Sequence, residues 1–366
     1  MPCARRSRAN GAQMFPLARA RWTGMPLSKY SSTVITPGTC TSNAKPGMIV
    51  WVTSSRRLTS SRKSCLRSFD MNFEHEPADD DVATIRIEGL QQDLTILHLT
   101  DSHMAEGDER DPEASEAVGR MQKVFQERTP GGVPAWDLFR RALAMAAARG
   151  VDAAALTGDI IHFPSYAALD IVQAGIDELD IPTVYTCGNH DWHFPHLEWS
   201  QATRAEHYPR FHGLTDGNPS FGSREVGGVR LITVDNSTYQ VSAEQVEFLR
   251  AELDSGQPCL LFIHIPIWVK TLASAVLEKW QAPIMMASPS DWTDETREKW
   301  RVVEATPSTI ACHDLLTSEA ASCLAGIFCG HVHFAHSDVV RPGCQQYVTA
   351  PGFEGGYRWI ELTGLD

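Results

Sequence analysis

Five apolar runs in this chain each end abruptly in an Asp, His or Asn, and that repetition restricts the fold more than any other feature. Leu94 to Thr100 runs into Asp101-Ser102-His103, and Val151 to Thr157 into Gly158-Asp159. Thr183 to Thr186 leads to Cys187-Gly188-Asn189-His190-Asp191. Cys259 to Ile263 ends in His264, and Leu324 to Cys329 in Gly330-His331-Val332-His333. Runs of this length, bounded by turn residues, read as strands. Val82 to Glu88 alternates apolar and polar residues as a half-buried strand does, Val229 to Val234 is a further strand, and Gln346–Thr349 and Tyr357–Leu362 close the series. Helices fall between. Pro134 to Arg149 has proline near its start, apolar residues at helical spacing and Gly150 as its stop. Ser165 to Leu179 reads the same way, and Ser242 with Gln245 opens another helix as a capping box. Strands alternating with helices predict a layered α/β fold, in which sites collect at the carboxyl ends of strands.

Taken singly, the motifs say little. Asp-x-His and Gly-Asp recur by chance, and a lone histidine such as His264 is more often a satisfied core residue than a ligand. Taken together, in one order and each directly after a strand, they supply two carboxylates, four imidazoles and one amide oxygen. Hard carboxylates mixed with imidazoles suit Zn, Fe or Mn better than Ca or a thiolate-bound metal. Seven such donors exceed what one tetrahedral structural zinc uses. They fit two adjacent ions that share a carboxylate. Glycines beside three of the motifs let the backbone turn sharply there.

The ordered set DxH, GD, GNHD, H and GHVH resembles the calcineurin-like metallophosphoesterase family, over roughly residues 81–366. The resemblance implies a metallo-dependent phosphatase fold: a four-layer αββα sandwich of two packed mixed β-sheets flanked by helices. It implies that Asp101, His103, Asp159 and His333 hold one metal ion. Asp159, Asn189, His264 and His331 would hold the second, with Asp159 bridging. His190 would contact the phosphoryl group or protonate the leaving oxygen, oriented by Asp191. Such a centre, two divalent or mixed-valence Mn, Fe or Zn ions, would hydrolyse phosphomonoesters or phosphodiesters through a metal-bound hydroxide. The substrate expected is a small-molecule phosphate ester, with cyclic nucleotides as one narrower reading. A non-catalytic scaffold of the same fold is the alternative from another class. Scaffolds of this kind typically lose the motif histidine or several ligands, whereas this chain keeps His190 and all seven.

Charge bears on the partner. The chain carries −13, but residues 1–70 hold 12 Lys+Arg and one acid, so they carry +11. The remainder has 32 − 12 = 20 bases and 45 − 1 = 44 acids, so it carries −24. An acidic body lacks the basic track that holds a nucleic-acid polymer, which argues against a nuclease. No run approaches the roughly 20 apolar residues of a membrane span.

Residues 1–80 are rich in Arg, Ser, Thr, Pro and Gly without a lasting hydrophobic period, so they read as a disordered basic extension. Either they resemble an organelle transit peptide or the functional start is Met71. The nine cysteines include no CxxC pair. They read as buried reduced thiols, which favours a reducing, cytoplasmic setting. Asn236-Ser237-Thr238 matches a glycosylation acceptor by chance. Residues 265–323 carry Trp268, Trp280, Trp292 and Trp300. They form either a cap that selects substrate or a peripheral helical insert that buries its own tryptophans. His162, Trp192, His193 and His196 follow two of the motifs closely and are candidate cavity residues, while His98 reads as core.

Overall fold

The computed structural model describes residues 72–289 and 292–365. Residues 1–71, which hold most of the expected basic extension, lie outside the described residues.

Two six-stranded sheets form the centre. The first holds β1 (Phe73–His75), β2 (Val82–Glu88), β3 (Leu94–Leu99), β4 (Ala153–Thr157) and β5 (Thr183–Thr186). The second holds β6 (Phe221–Val226), β7 (Val229–Val234), β8 (Cys259–Phe262), β9 (Leu324–Cys329), β10 (His336–Arg341) and β11 (Cys344–Val348). The last strand, β12 (Arg358–Leu365), returns to the first sheet, whose order is β1-β2-β12-β3-β4-β5. The second has the order β10-β11-β9-β8-β7-β6. Both are mixed. β3, β4 and β5 are mutually parallel, as are β7, β8, β9 and β11. β1, β6, β10 and the β12–β3 pair are antiparallel.

Period-two alternation shows why the sheets stack. Ala83, Ile85 and Ile87 of β2, Ile96 of β3 and Ala153 and Ala155 of β4 meet Leu231, Leu260, Phe262 and Phe328 of the second sheet in one buried cluster. The intervening residues face outward: Leu97, Leu99, Ala154 and Leu156 pack under helices α2 (Ala135–Arg149) and α3 (Tyr166–Leu179). On the other side, Leu261, Ile263 and Ile327 pack under α5 (Ala243–Leu253), α6 (Lys270–Trp280) and α8 (Pro307–Thr317). Helices α1 (Ser115–Arg128), α4 (Gln201–His207) and α7 (Asp294–Trp300) lie in the connections. The result is the helix–sheet–sheet–helix sandwich that the family resemblance implies. Local signals act as expected: Gly150 terminates α2 in the left-handed region, Ser165 caps α3, and Ser242 and Gln245 complete a capping box on α5.

The boundary expected at residue 80 moves upstream. Phe73–His75 pair with Ile85–Ile87, and Phe73 is buried in the inter-sheet cluster. Asp79 is tied in as well, because the buried Arg358 guanidinium donates to its carbonyl at 2.8 Å. The six cysteines among the described residues are buried free thiols. Asn236 is also fully buried, accepting from the backbone N–H groups of His264 and Ile265. No helix among the described residues is long and apolar enough to cross a membrane.

The segment 265–323 contains α6, α7 and α8 and divides between two tasks. Trp268, Trp280, Trp292 and Trp300 all pack against the helix-side core of the second sheet, and the Trp280 indole donates to Val332 O at 2.8 Å. Lys299, Trp300 and Arg301, at the end of α7, also line the cavity beside His190.

Candidate metal centre

The ends of β3, β4 and β5 deliver Asp101, His103, Asp159, Asn189 and His190, and the ends of β8 and β9 deliver His264, His331 and His333. The two groups come from different sheets and meet at one edge of the sandwich. Ligand atoms of Asp101, His103 and His333 lie within 4.8 Å of one another, and so do those of Asp159, His264 and His331. Asp159 touches both groups: its Oδ2 is 3.8 Å from His103 Nε2 and 3.2 Å from His264 Nε2. Asp101 Oδ1 is 3.2 Å from His333 Nε2. Asn189 joins His331 in the lining of the adjacent cavity.

The backbone is forced at these positions. Asp101 (φ 50°), His103 (φ 48°), Asp159 (φ 50°), His331 (φ 70°) and His333 (φ 56°) all lie in the left-handed region. That costs a non-glycine residue roughly 1–2 kcal/mol. Pairing between the loops holds it: Asp101 N donates to Gly158 O at 3.0 Å, His103 N to Asp159 O at 2.8 Å and Gly330 N to His264 O at 3.0 Å. Asp101 Oδ2 accepts from Thr100 Oγ1 at 2.8 Å and from His331 N at 2.9 Å, which ties the first sheet to the second. Gly330 allows this closeness, since a Cβ there would lie 2.0 Å from Thr100 Oγ1.

Asp191 differs from expectation. Its carboxylate does not hold the His190 ring. It accepts from the backbone N–H groups of Gly188 (2.6 Å), Asp159 (2.9 Å) and Ile161 (3.0 Å). Those N–H groups lie in two tight loops and have no backbone acceptor among the described residues, and a buried carboxylate is the compact way to satisfy three at once. Asp191 is therefore a backbone clamp. His190 is positioned instead by His162, whose ring stacks on it with centroids 4.2 Å apart, and by its own N–H, which donates to Asp159 Oδ1 at 2.7 Å. Its ring makes no hydrogen bond among the described residues and lines the cavity.

Partners behind the ligands fix which nitrogen each presents. His264 Nδ1 lies 2.8 Å from Thr157 O, so it donates and leaves Nε2 forward. His331 Nε2 meets the Tyr239 hydroxyl at 2.7 Å, and His103 Nδ1 meets His162 Nδ1 at 3.0 Å. Tyr239 had no signal in the sequence. It lies 92 residues from His331, and only the fold joins them. Of the nearby candidates, Trp192 is buried and donates to Ser237 Oγ, His196 pairs with Glu113, and His193 lines the cavity.

Electrostatics reflect two carboxylates held among imidazoles. Burial would lower the His264 imidazole, but the Asp159 charge 3.2 Å away overrides it and raises it to about 10. Burial, and next the His264 charge, lowers His331 to about 3. Burial, with Asp159 next, raises Asp191 to about 7. Burial also lowers His190, so this ring tends to the neutral form with one N–H.

The donor set fits metal ions. Asp101 Oδ1, Asn189 Oδ1 and His264 Nε2 are buried and make no hydrogen bond among the described residues. Buried polar atoms are rarely left so, and a metal ion, which would displace the proton on His264 Nε2, is the partner that would satisfy all three. Imidazole and carboxylate donors without thiolate suit Zn, Fe or Mn.

A model of the calcineurin-like phosphoesterase family matches residues 94–335, and the chain belongs to that family. It is accordingly a hydrolase acting on phosphate esters. A search of curated proteins finds no match. Among solved structures, the chain is similar to a dimetal phosphatase from Danio rerio (16% identity, 71% of this chain and 88% of that one, TM-score 0.41). It is also similar to a purple acid phosphatase from yellow lupin, Lupinus luteus (12% identity, 75% and 47%, TM-score 0.44). A third is a 5'-nucleotidase from Candida albicans (12% identity, 77% and 48%, TM-score 0.33). The chain spans under half the length of the latter two.

Proposed function

We propose that this chain hydrolyses small-molecule phosphomonoesters or phosphodiesters at a dinuclear centre formed by the residues that converge at the sheet ends. The observation that carries the reading is the pair of buried carboxylate–imidazole groups joined at Asp159. Asp101, His103 and His333 would hold one ion, Asn189, His264 and His331 the other, and Asp159 both. Bound there, the two ions would neutralise charge on the phosphoryl oxygens and acidify a water, so that a nucleophile exists near neutral pH.

The chain's own residues supply the rest. His190 lines the cavity, and its N–H donates to the leaving oxygen as charge develops there. His162 keeps that ring in place by stacking. Asp191 holds the loops that carry Asp159, Asn189 and His190. The cavity of about 320 Å³ suits a small ester, and the acidic remainder of the chain repels a polyanion.

The test is hydrolysis of p-nitrophenyl phosphate, bis-p-nitrophenyl phosphate and cyclic nucleotides with added Mn²⁺, alongside His190→Ala. Turnover lost with metal content retained in the variant supports the reading. A metal-loaded wild type that is inert on the whole panel over a broad pH range refutes it and leaves a metal-bearing scaffold.

A further inference from the structure

The cavity beside His190 has an unusual charge for this molecule. Residues 71–366 carry −24, yet no Asp or Glu lines this cavity, and three cations do: Arg120 from α1, and Lys299 and Arg301 from the end of α7. Among the described residues none of the three has a carboxylate within ion-pair distance. Elsewhere, arginines are readily paired: Arg110, Arg140, Arg141, Arg149, Arg210 and Arg224 all reach Asp or Glu. In an acidic protein, three unpaired cations collected at one mouth favour an anion that comes from outside.

Arg301 is also held in place. Its guanidinium carbon sits 4.6 Å from the Trp199 ring centroid, and its Nη1 lies 3.4 Å from His193 Nδ1. His193 Nε2 meets Leu197 O at 3.1 Å, so Nε2 carries the proton and Nδ1 is left to accept. Both Trp199 and His193 belong to the loop that follows His190. A guanidinium stacked on an indole and steered by one acceptor still offers most of its five N–H groups. That is a pre-organised fork of the kind that grips a phosphate in two places. Trp300, also in the lining, adds an apolar wall.

We infer that Arg301, with Lys299 and Arg120, binds a second phosphate group on the substrate, so that the preferred substrates are small esters bearing a phosphate besides the one that is cleaved. The inference rests on the phosphoesterase reading above. The second phosphate lies against the cations while the scissile one lies at the metal ligands, and the preference comes from these three cations rather than from the metal centre.

The experiment compares propyl phosphate with 1,3-propanediol bisphosphate, which differ by one phosphate. Binding is measured by calorimetry on full-length protein stripped with EDTA, and kcat/KM is measured with Mn²⁺. The bisphosphate is expected to bind about tenfold or more tightly, the range of one or more charge-assisted hydrogen bonds. Arg301→Met lowers that preference to less than about threefold, while Arg301→Lys keeps part of it, because lysine retains the charge and loses the fork. Arg224→Met, at an exposed pair with Asp216, retains all of it. Equal binding of the two ligands by the wild type overturns the inference. So does an Arg301→Met variant that weakens both alike, which would mark Arg301 as a tether between segments. An enzyme active on aryl phosphates but without the preference fails this inference alone. A protein that binds the bisphosphate preferentially but hydrolyses nothing fails the hydrolase reading and leaves the anion site standing.

Discussion

Replacing Gly330 by alanine adds one methyl group at the most crowded point of the site. Gly330 is not in the left-handed region, so backbone strain does not enter and the effect is steric. The new Cβ would lie 2.0 Å from Thr100 Oγ1, 2.2 Å from Asp101 Oδ2 and 2.7 Å from Thr100 Cγ2. Ordinary contact is about 3.5 Å, so the two oxygens must retreat by more than an ångström. Retreat breaks what holds the Asp101 carboxylate, namely the donors Thr100 Oγ1 and His331 N. Overpacking costs about 1–3 kcal/mol, and losing a hydrogen bond to a charged acceptor costs about 1.5–3 kcal/mol. Both describe one displacement, so they do not sum, and a loss of about 2–3 kcal/mol is expected. Urea denaturation of EDTA-treated protein measures it without metal linkage. Titration with Mn²⁺ should then show affinity weaker by about 10–100-fold, as for other residues that support a ligand. A variant within about 0.5 kcal/mol of wild type, with undiminished Mn²⁺ affinity, would show that the close approach is not required.

Three further substitutions probe the groups behind the ligands. His98 is fully buried between Thr157 and Thr349, and burial, then Arg358, lowers it to about 3. Below pH 6.5 the unfolded chain takes up a proton that the folded one refuses, so stability falls by about 1.4 kcal/mol per pH unit from this group, towards its folded pKa. His98→Gln should flatten the acid limb of the stability–pH curve, and parallel curves for the two proteins would contradict the assignment. Asp191→Ala should cost about 3 kcal/mol or more by orphaning three backbone donors; a normal melt with only kcat reduced would restore the role of orienting His190. Tyr239→Phe should weaken Mn²⁺ binding by about 10-fold or more with little change in the metal-free melt, and unchanged affinity would show that the hydroxyl does not matter to His331.

How much of this was readable in the sequence depends on distance along the chain. β5, β7 and β9 occupy the residues their apolar runs predict, because strands buried on both faces read as continuous apolar runs bounded by turn residues. β1, with three residues, and β10, with the mixed run His-Ser-Asp-Val-Val-Arg, carry no pattern of their own and exist through their pairing. Helix α1 lacks a side-chain cap, and the proline turn at Pro112 that leads into it lies three residues upstream. The candidate ligands were readable because each sits immediately after a strand. Their supports were not. Tyr239 and His331, or Arg301 and His193, are 92 and 108 residues apart, and only tertiary folding brings them together. The family resemblance gave Asp191 to His190, whereas three backbone donors from two loops compete for it and win.

The left-handed backbone at Asp101, His103, Asp159, His331 and His333 has an evolutionary consequence. Glycine would sit at any of these positions without the roughly 1–2 kcal/mol that a side chain costs there. A lineage that no longer needed hydrolysis would feel this backbone cost as a push towards glycine, opposed by what each side chain holds: the Asp101 bonds from Thr100 and His331, and the Asp159 bond from His190 N. Where a side chain holds least, drift away from function meets the least resistance.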